Sequence, residues 1–377
     1  MEGTSEAGRR RTFEARYDRL REALAEAGLD AVVASPSDNL YYLTGFRSEP
    51  DERVLLGFFP LERPAALLVP ALYEEQVRAS GWKGRMAVWP EAEGPKPALC
   101  GLIEELGLSG AALAVDDEMR ADYLLTLMEA ARPARMTPAS AVLGQLRVRK
   151  SPEEVELLRR AAALADQALE AGIRACRAGS TEREVALALE LAMRQAGAGG
   201  LSFPPIVQSG PNGAMPHQPP GDRRLAPGDA VVLDFGCRVE GYCSDITRTL
   251  CVKQPEPELE RVHRIVEEAQ RLALSTVAPG RRAGEVDAAA RRHIEERGYG
   301  AAFIHRTGHG IGLSGHEAPY IAPGDDTILE PGMVFSIEPG IYLPGRFGVR
   351  LEDIVVVTAS GAERLNQAPR ALIRCGG

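Results

Sequence analysis

Hydrophobic and polar positions follow helix-like and strand-like patterns in turn along the first part of the chain. A helical pattern covers residues 13–27, and a short apolar strand, AVVA, starts at Ala31. Further strands are predicted around residues 54–60 and 65–70, followed by a helix, a strand at residues 111–115 and another helix. Helices and strands in this order are typical of an α/β domain.

A helix start marks the predicted boundary between two domains. After Lys150 the sequence reads SPEE, in which Ser151 is an N-cap, proline takes the first helical position and glutamate the third. These residues satisfy N–H groups that the first helical turn leaves without partners. The sequence therefore predicts an N-terminal domain over residues 1–148 and a second domain over residues 149–377.

The second domain contains a weak internal repeat. The segment GSTEREVALALELA from Gly179 aligns with GRRAGEVDAAARRH from Gly280, at an offset of 101 residues (280 − 179). Each copy has the pattern of a long helix, a second helix that ends at glycine, and strands. We predict two halves about a pseudo-two-fold axis with one shared sheet, in an α/β (α+β) protein. Chance similarity between Ala-rich helices is the alternative.

The composition argues against several classes of function. The 377 residues include 53 acidic and 44 basic ones, a net charge of −9, which does not favour binding to nucleic acid. No stretch approaches the roughly 18 to 20 apolar residues of a membrane-spanning helix, and no signal-peptide core follows the first basic residues. The six cysteines show no metal-binding spacing, so we expect reduced thiols. We therefore predict a cytoplasmic protein with small substrates and with no membrane or nucleic-acid partner.

Two aspartates follow strand-like segments of the second domain. Asp234 ends the run AVVLD, and Asp245 follows 11 residues later (245 − 234) in YCSDITRTL, so a hairpin can place them side by side. Burying a carboxylate is costly unless a cation or a proton compensates its charge. These two residues alone are equally compatible with a metal site and with a hairpin that forms salt bridges to Arg238 or Arg248.

Three more residues of metal-ligating type occur in the second half of this domain. His309 lies in HRTGHGIG, Glu338 in VFSIEPG and Glu352 in VRLED, beside glycine or at the edge of an apolar run. One imidazole and four carboxylates form an oxygen-rich set, which suits a pair of Mn²⁺-like ions better than a thiolate-rich zinc site. Such a pair polarises a carbonyl and holds a hydroxide. The five residues therefore predict a two-metal hydrolase.

A glycine-rich motif beside His309 matches the pattern of a dinucleotide-binding site without its context. The sequence GIGLSG from Gly310 fits GxGxxG, but the HEAP that follows does not open a helix, as such a site requires. We interpret these glycines as backbone that passes close to the predicted metals and substrate.

Five motifs, LDFG, SDITRT, HGIG, IEPGIY and VRLED, closely resemble in this order those of the prolidase and aminopeptidase P group of pita-bread metallopeptidases. The resemblance covers residues 151–365, and SPSDNLYYLTGF from Ser35 is similar to the smaller domain of that group. It implies a creatinase-like N-terminal domain followed by a pita-bread catalytic domain. It also implies two divalent metal ions and a homodimer.

The resemblance assigns a role to each candidate ligand. Asp234 corresponds to a ligand of one metal, and Asp245 and Glu352 correspond to carboxylates that bridge both metals. His309 and Glu338 correspond to ligands of the other metal. Glu338 also matches the group that orients the attacking hydroxide and takes its proton.

Other residues match positions around that active site. His217 in AMPHQP and His316 in SGHEAPY match histidines that steady the tetrahedral intermediate and pass a proton to the leaving proline nitrogen. Taken alone, either histidine is more often a satisfied loop residue than a catalytic group. Arg350 matches an arginine that meets the substrate carboxylate or a metal ligand, with a salt bridge to Asp353 as the alternative. Tyr320 is compatible with a proline pocket or with plain packing.

The resemblance implies hydrolysis of the Xaa-Pro bond in small proline-containing peptides. We predict an Xaa-Pro dipeptidase, because the chain has no insertion that would enclose a longer substrate, with an Xaa-Pro aminopeptidase as the alternative. Ligand hardness favours Mn²⁺, although Co²⁺, Zn²⁺ and Fe²⁺ also fit such a set. Asp38, Arg47 and Arg53 flank the segment LYYLTGF and are either contacts for the two ends of the substrate or solvated surface charges.

Three rival functions fit the sequence less well. A creatinase-like amidinohydrolase keeps the fold but replaces the ligand residues. A non-catalytic binding module has no reason to keep a complete ligand set together with both histidines. A methionine aminopeptidase shares the metal site but generally lacks an N-terminal domain like this one.

Overall fold

The computed structural model describes residues 6–376, with side chains described from residue 13 onward. The chain forms two compact units, one up to Arg147 and one from Val148. The boundary between residues 148 and 149 stays a prediction of the sequence. Within residues 6–376, every helix is too short or too polar to cross a bilayer.

The N-terminal unit is built on a six-stranded mixed sheet with the strand order β4-β3-β2-β1-β5-β6. Its strands β1 to β3 are buried on both faces, as continuous apolar runs should be. The helices are α1 (Glu6–Ala27), α2 (Asp38–Thr44), α3 (Glu74–Ala79), α4 (Lys96–Leu106), α5 (Ala121–Ala131) and α6 (Leu143–Val148). The strands are β1 (Ala31–Ala34), β2 (Leu56–Pro60), β3 (Ala66–Pro70), β4 (Arg85–Trp89), β5 (Ala112–Val115) and β6 (Arg135–Pro138).

The predicted α/β pattern of this unit is confirmed, and the differences have physical reasons. Helix α1 begins seven residues before the predicted start, because its first turns are polar and carry no apolar signal. Strand β4 was missed in the sequence because it lies at the edge of the sheet, where only Ala87 and Trp89 of its five residues are buried.

The C-terminal unit contains two helical pairs and several short sheets. The helices are α7 (Pro152–Ala175), α8 (Glu182–Gln195), α9 (Pro257–Thr276) and α10 (Ala283–Glu296). Strands of the first half are β7 (Gly200–Leu201), β8 (Ile206–Ser209), β9 (Ala230–Phe235), β10 (Cys237–Val239), β11 (Tyr242–Cys243) and β12 (Ile246–Val252). Strands of the second half are β13 (Gly308–Gly310), β14 (Glu317–Ile321), β15 (Val334–Ile337), β16 (Gly340–Leu343), β17 (Phe347–Arg350), β18 (Asp353–Val357), β19 (Ala362–Arg364) and β20 (Ile373–Cys375).

The predicted helix start and internal repeat are both present. Ser151 caps α7 in a capping box with Glu154, and proline occupies the first helical position. Helices α8 and α10 each have 14 residues, and their starts differ by 101 residues (283 − 182). In both helices a glutamate, Glu184 or Glu285, accepts a hydrogen bond from the N–H of the N-cap residue.

The prediction of one shared sheet is wrong. The two halves form separate sheets, β20-β12-β9-β8 and β14-β13-β15-β18-β19, which an isolated bridge between Thr247 and Glu352 connects. Strand β15 ends before Pro339, which has no N–H to donate to a neighbouring strand. The two hairpins β9–β12 and β15–β18 therefore meet at their ends, where the candidate ligands lie.

One buried histidine makes the stability of this unit depend on pH. His263 on α9 is 1% exposed, and burial lowers its pKa to about 4. Because this pKa lies below that of the unfolded chain, the stabilisation is complete above pH 6.5 and is lost as the pH falls toward 4.

We expect the wild-type protein to lose about 2 kcal/mol more unfolding free energy than the His263→Leu variant between pH 7 and pH 5. Leucine removes the titrating group and keeps the position apolar. Urea titrations of both proteins at the two pH values measure this difference. Equal losses in the two proteins would show that His263 does not carry the effect.

Candidate metal centre

The five predicted ligands lie at the ends or in the middle of short strands of the C-terminal unit. Asp234 is near the end of β9, Asp245 directly precedes β12, His309 is the central residue of β13, Glu338 follows β15, and Glu352 directly precedes β18. The bridge between Thr247 and Glu352 joins the strand pairs β9–β12 and β15–β18, and β13, which carries His309, pairs with β15. Residues far apart in the sequence thereby converge on one site.

Three of these residues form a tight buried cluster. Asp245, His309 and Glu352 are 4%, 3% and 2% exposed. Each offers a ligand atom within 4.8 Å of the ligand atoms of the other two. Two carboxylates and one imidazole in this arrangement have the donor types that a divalent cation of the Mn²⁺ class accepts.

Unpaired oxygens show that this cluster fits a cation. In the part of the chain that the structure describes, no hydrogen-bond donor reaches Asp234 Oδ1, Asp245 Oδ1 or Glu352 Oε1, although all three atoms are buried. Such groups are rare in folded proteins, because each loses its bonds to water without replacement. Burial and the charges of Glu352 and Asp234 raise the pKa of Asp245 well above its usual range. A bound cation would satisfy the oxygens and keep the carboxylates ionised.

His309 is oriented to act as a ligand through Nε2. Its Nδ1 lies 3.1 Å from the carbonyl oxygen of Gly310, to which it donates when the ring is neutral. Its Nε2 lies 3.3 Å from Glu338 Oε1 and 3.9 Å from Asp245 Oδ2. Burial, followed by the charge of His316, lowers the pKa of His309 to about 3. The imidazole is therefore neutral at pH 7, with a lone pair that faces the carboxylates.

A close approach of two strands positions Glu338. A Cβ at position 308 would lie 1.9 Å from the carbonyl oxygen of Ser336, so only glycine fits there. The hydroxyl of Ser336 accepts a hydrogen bond from the His309 N–H and donates one to Glu338 Oε1, both at 3.1 Å. Burial raises the pKa of Glu338 to about 7. One serine therefore fixes the positions of two candidate ligands.

Arg350 binds Asp234 and not Asp353. Its Nη2 lies 2.5 Å from Asp234 Oδ2, and its Nη1 lies 3.0 Å from the Tyr342 hydroxyl. Asp353 instead pairs with Arg248, at 2.6 Å. The alternative of an Arg350–Asp353 salt bridge is therefore wrong. In the alternative of a hairpin held by salt bridges to Arg238 or Arg248, the structure excludes Arg248, because its guanidinium binds Asp353 and main-chain carbonyl oxygens.

Two side chains that the sequence analysis did not single out extend this network. The hydroxyl of Tyr342 lies 2.8 Å from His305 Nε2 as well as 3.0 Å from Arg350. Burial lowers the pKa of His305 to about 4 and raises that of Tyr342 to about 12. Both residues lie inside motifs already noted, His305 in HRTGHGIG and Tyr342 in IEPGIY, so those motifs were the available signal.

The two predicted catalytic histidines lie on loops beside the cluster. The ring of His316 is centred 3.8 Å from that of His309, at an angle of 48°. His217 is exposed, and Gln208 Nε2 holds its loop by donating to the carbonyl oxygens of Met215 and Gln218, at 2.5 and 3.0 Å. His217 contributes to the lowered pKa of His316, for which burial is the main cause.

The charged candidates of the N-terminal unit pair within that unit. Arg47 Nη2 lies 3.0 Å from Asp38 Oδ1. Arg53 forms ion pairs with Glu52 at 2.7 Å and with Glu91 at 3.1 Å. These contacts fit the interpretation as surface charges, and a role in binding the substrate stays a prediction.

The rejected dinucleotide motif leads into a strand. After β13, residues 311–316 form a loop, and β14 starts at Glu317. The strand–turn–helix context of a dinucleotide site is therefore missing from this described segment.

The six cysteines, all within the described residues, have free thiols.

Comparison with protein families assigns the chain. The model of metallopeptidase family M24 matches residues 156–359, which is 204 of the 377 residues (359 − 156 + 1). The chain belongs to metallopeptidase family M24. The model of the Creatinase/Prolidase N-terminal domain matches residues 16–149 of the same M24 chain. The predicted family and fold class are confirmed, and the protein is a metal-dependent hydrolase.

Relatives of this M24 metallopeptidase include named dipeptidases. It is 36% identical to an Xaa-Pro dipeptidase of Lactobacillus delbrueckii subsp. lactis, over 94% of this chain and 97% of the relative. Its fold matches a prolidase from Thermococcus sibiricus with a TM-score of 0.92 and 39% identity, over 96% and 99% of the two chains. It also matches an X-Pro aminopeptidase from Thermotoga maritima with a TM-score of 0.84 and 32% identity, over 95% and 99%.

Thr247 provides a test of the metal centre. Its hydroxyl donates to Glu352 Oε2 at 2.7 Å, so we expect Thr247→Val to free that carboxylate and weaken Mn²⁺ binding by roughly 10- to 100-fold. Competition with a chelator measures the affinity. Thr249→Val is the matched control, because Thr249 is equally buried on β12 but its hydroxyl donates to the main chain of Arg350. Equal affinities in both variants would contradict the assignment of Glu352.

Proposed function

We propose that this M24 metallopeptidase hydrolyses the Xaa-Pro bond of dipeptides with two divalent metal ions. The observation that carries the proposal is the set of three buried carboxylate oxygens without donors among the described residues. The named activities of the relatives from Lactobacillus and Thermococcus support this choice of substrate. Small proline-containing peptides are thus the proposed binding partners.

Five residues would hold the metal ions. They are Asp234, Asp245, His309, Glu338 and Glu352, the same five residues that the resemblance assigns as ligands. When bound, the metal pair supplies Lewis-acid chemistry that polarises the scissile carbonyl and activates water. Mn²⁺ is the proposed metal because oxygen donors dominate the set.

Glu338 takes the proton of the attacking water in this proposal. Its Oε1 accepts a hydrogen bond from Ser336, which fixes the direction of the carboxylate relative to His309. A base must lie within hydrogen-bond reach of the proton that it takes, and Glu338 would meet this requirement for a water held at the cluster.

His316 and His217 stabilise charge on the substrate. The centre of the His316 ring lies 3.8 Å from that of His309, so His316 is the proposed hydrogen-bond donor to the oxygen on which charge develops. His217, on the loop that Gln208 holds, is the proposed proton donor to the leaving proline nitrogen.

Arg350 acts through Asp234. Its guanidinium donates to Asp234, Tyr342 and Thr247, so it orients a ligand and does not meet the substrate carboxylate. Of the two roles that the sequence left open, contact with a ligand is the one that these distances support.

We also propose a cytoplasmic homodimer. Free thiols at all six cysteines fit a reducing compartment, and an acidic net charge of −9 fits small substrates. The dimer rests on the resemblance to the prolidase and aminopeptidase P group. Sedimentation of the purified protein would measure it directly.

Peptide digestion tests the proposed activity. We expect the metal-stripped protein with added Mn²⁺ to cut Ala-Pro, to cut Ala-Pro-Ala more slowly, and to leave Ala-Ala-Ala intact. Glu338→Gln should lower kcat for Ala-Pro by roughly 10²- to 10⁴-fold, because the amide cannot take a proton.

Amino-acid analysis of the products decides between the candidate activities. Parallel reactions with Co²⁺ and Zn²⁺ rank the metals, and metal analysis of Glu338→Gln separates lost catalysis from lost metal. Faster cutting of Ala-Pro-Ala than of Ala-Pro would favour an aminopeptidase. No cutting of any proline peptide would contradict the proposed substrate class.

A further inference from the structure

The position of His316 depends on the loop between β13 and β14. His316 is the last residue before β14, and it remains partly exposed even though its ring lies against that of His309. Its own packing therefore does not fix it. A hydrogen-bond donor must be held in place before the reaction begins, so the main chain on both sides of His316 has to supply the rigidity.

Contacts with Cys243 hold the first part of this loop. The N–H of Cys243 donates to the carbonyl oxygen of Gly312 at 2.7 Å, and its thiol donates to the carbonyl oxygen of Leu313 at 3.3 Å. Leu313 itself is buried. These contacts fix the start of the loop, but they end three residues before His316 (316 − 313).

A buried ion pair holds the end of the loop. Lys150 Nζ lies 2.6 Å from Glu317 Oε1, and the two side chains are 2% and 12% exposed. Charge-assisted hydrogen bonds are short and directional, and burial strengthens them. Because Glu317 directly follows His316, a displacement of Glu317 also moves the main chain of the histidine.

Glycine at position 312 leaves the space that this ion pair occupies. A Cβ there would lie 2.7 Å from Glu317 Oε1 and 3.1 Å from Lys150 Cε, so it would displace the carboxylate. The Glu317 side chain therefore lies over the start of the loop. Both ends of the loop thus meet at the ammonium group of Lys150.

Lys150 is itself anchored through its main chain. Its N–H donates to the carbonyl oxygen of Gly332 at 2.8 Å, and the next residue, Ser151, caps α7. Its ammonium group also donates to the carbonyl oxygen of Val148 at 3.2 Å. Lys150 is therefore a fixed point for the end of the loop.

We propose that Lys150 is a positioning residue, which holds His316 in place for catalysis through its ion pair with Glu317. This inference rests on the proposed function, in which His316 donates to the oxygen on which charge develops. A buried ion pair adds little net stability compared with apolar side chains of similar volume. Position therefore explains this pair better than stability does.

Kinetics of Lys150→Met test the proposal, because methionine removes the charge and keeps a long side chain. We expect kcat for Ala-Pro to fall by roughly 10- to 100-fold, because a misplaced donor loses its contact in the transition state. KM should change by less than about three-fold, because the charge on the oxygen develops only in the transition state. Lys150→Arg should recover part of kcat. An unchanged kcat in Lys150→Met, or a loss that lies entirely in KM, would overturn the proposal.

A neighbouring arginine serves as the matched control. Arg149 directly precedes Lys150 and pairs with Glu330 at 2.7 Å, but both of these side chains are exposed. Arg149→Met should therefore leave kcat and KM within about two-fold of the wild type, as expected for an exposed ion pair.

A double variant separates position from stability. Lys150→Met/Glu317→Leu replaces the ion pair with an apolar contact, so it should recover the urea midpoint that Lys150→Met loses. An apolar contact has no preferred direction, so kcat should stay low. Recovery of kcat together with the midpoint would overturn the proposal, since only stability would have been lost. The double variant also keeps the proposal testable if Lys150→Met does not fold.

Hydrogen exchange measures the anchoring of the loop without catalysis. The amides of residues 314–317 should exchange faster in the double variant than in the wild type and Arg149→Met, while those of β9 and β12 stay unchanged. Equal exchange of the loop in all three proteins, or equal acceleration of loop and strands, would overturn the proposal. If the wild type cuts no proline peptide but the exchange differs as expected, the proposed function is contradicted and the anchoring by Lys150 is not.

Discussion

Buried negative charge is the constraint on which the rest of the C-terminal unit depends. Asp245 and Glu352 are almost completely buried next to Asp234, and one oxygen of each of these three residues has no donor among the described residues. Burial, followed by repulsion from Glu338 and Asp234, raises the pKa of Glu352 well above its usual range. A fold that keeps such groups together needs a cation or a proton to compensate their charge, and a bound cation would offset the cost of burial with the carboxylates ionised. These buried carboxylates thereby link the stability of the C-terminal unit to the chemistry of the site.

The surrounding scaffold orients the ligands mostly through neutral hydrogen bonds. Ser336 bonds both His309 and Glu338, and Thr247 bonds Glu352, so each contact fixes direction and leaves the negative charge in place. Arg350 is the exception, because its positive charge compensates Asp234. Hydrogen bonds and ion pairs to metal ligands affect the affinity for the metal as well as the orientation of the ligands. The negative charge of Asp234, at the edge of the site, is therefore compensated by Arg350, whereas the charges of the carboxylates at its centre are not compensated.

Much of this arrangement could be predicted from the sequence, for a definite reason. Asp234 and Glu352 lie at the edges of apolar strand-like runs, so periodicity indicated polar groups there, whereas His309 stands among glycines and was indicated by its residue type and motif. The separation of the two sheets could not be predicted, and the choice among the candidate partners of Arg350 could not be made, because both depend on which side chains meet between the two halves of the C-terminal unit.

The most direct test of the account is the number and position of metal ions in crystals of the Mn²⁺-loaded protein. Anomalous scattering locates manganese independently of the protein atoms. The account predicts two peaks about 3.5 to 4 Å apart, one beside Asp234 and one beside His309 and Glu338, with Asp245 and Glu352 between them. A single peak bound by Asp245, His309 and Glu352 alone, with Asp234 paired only to Arg350, would contradict the two-metal centre.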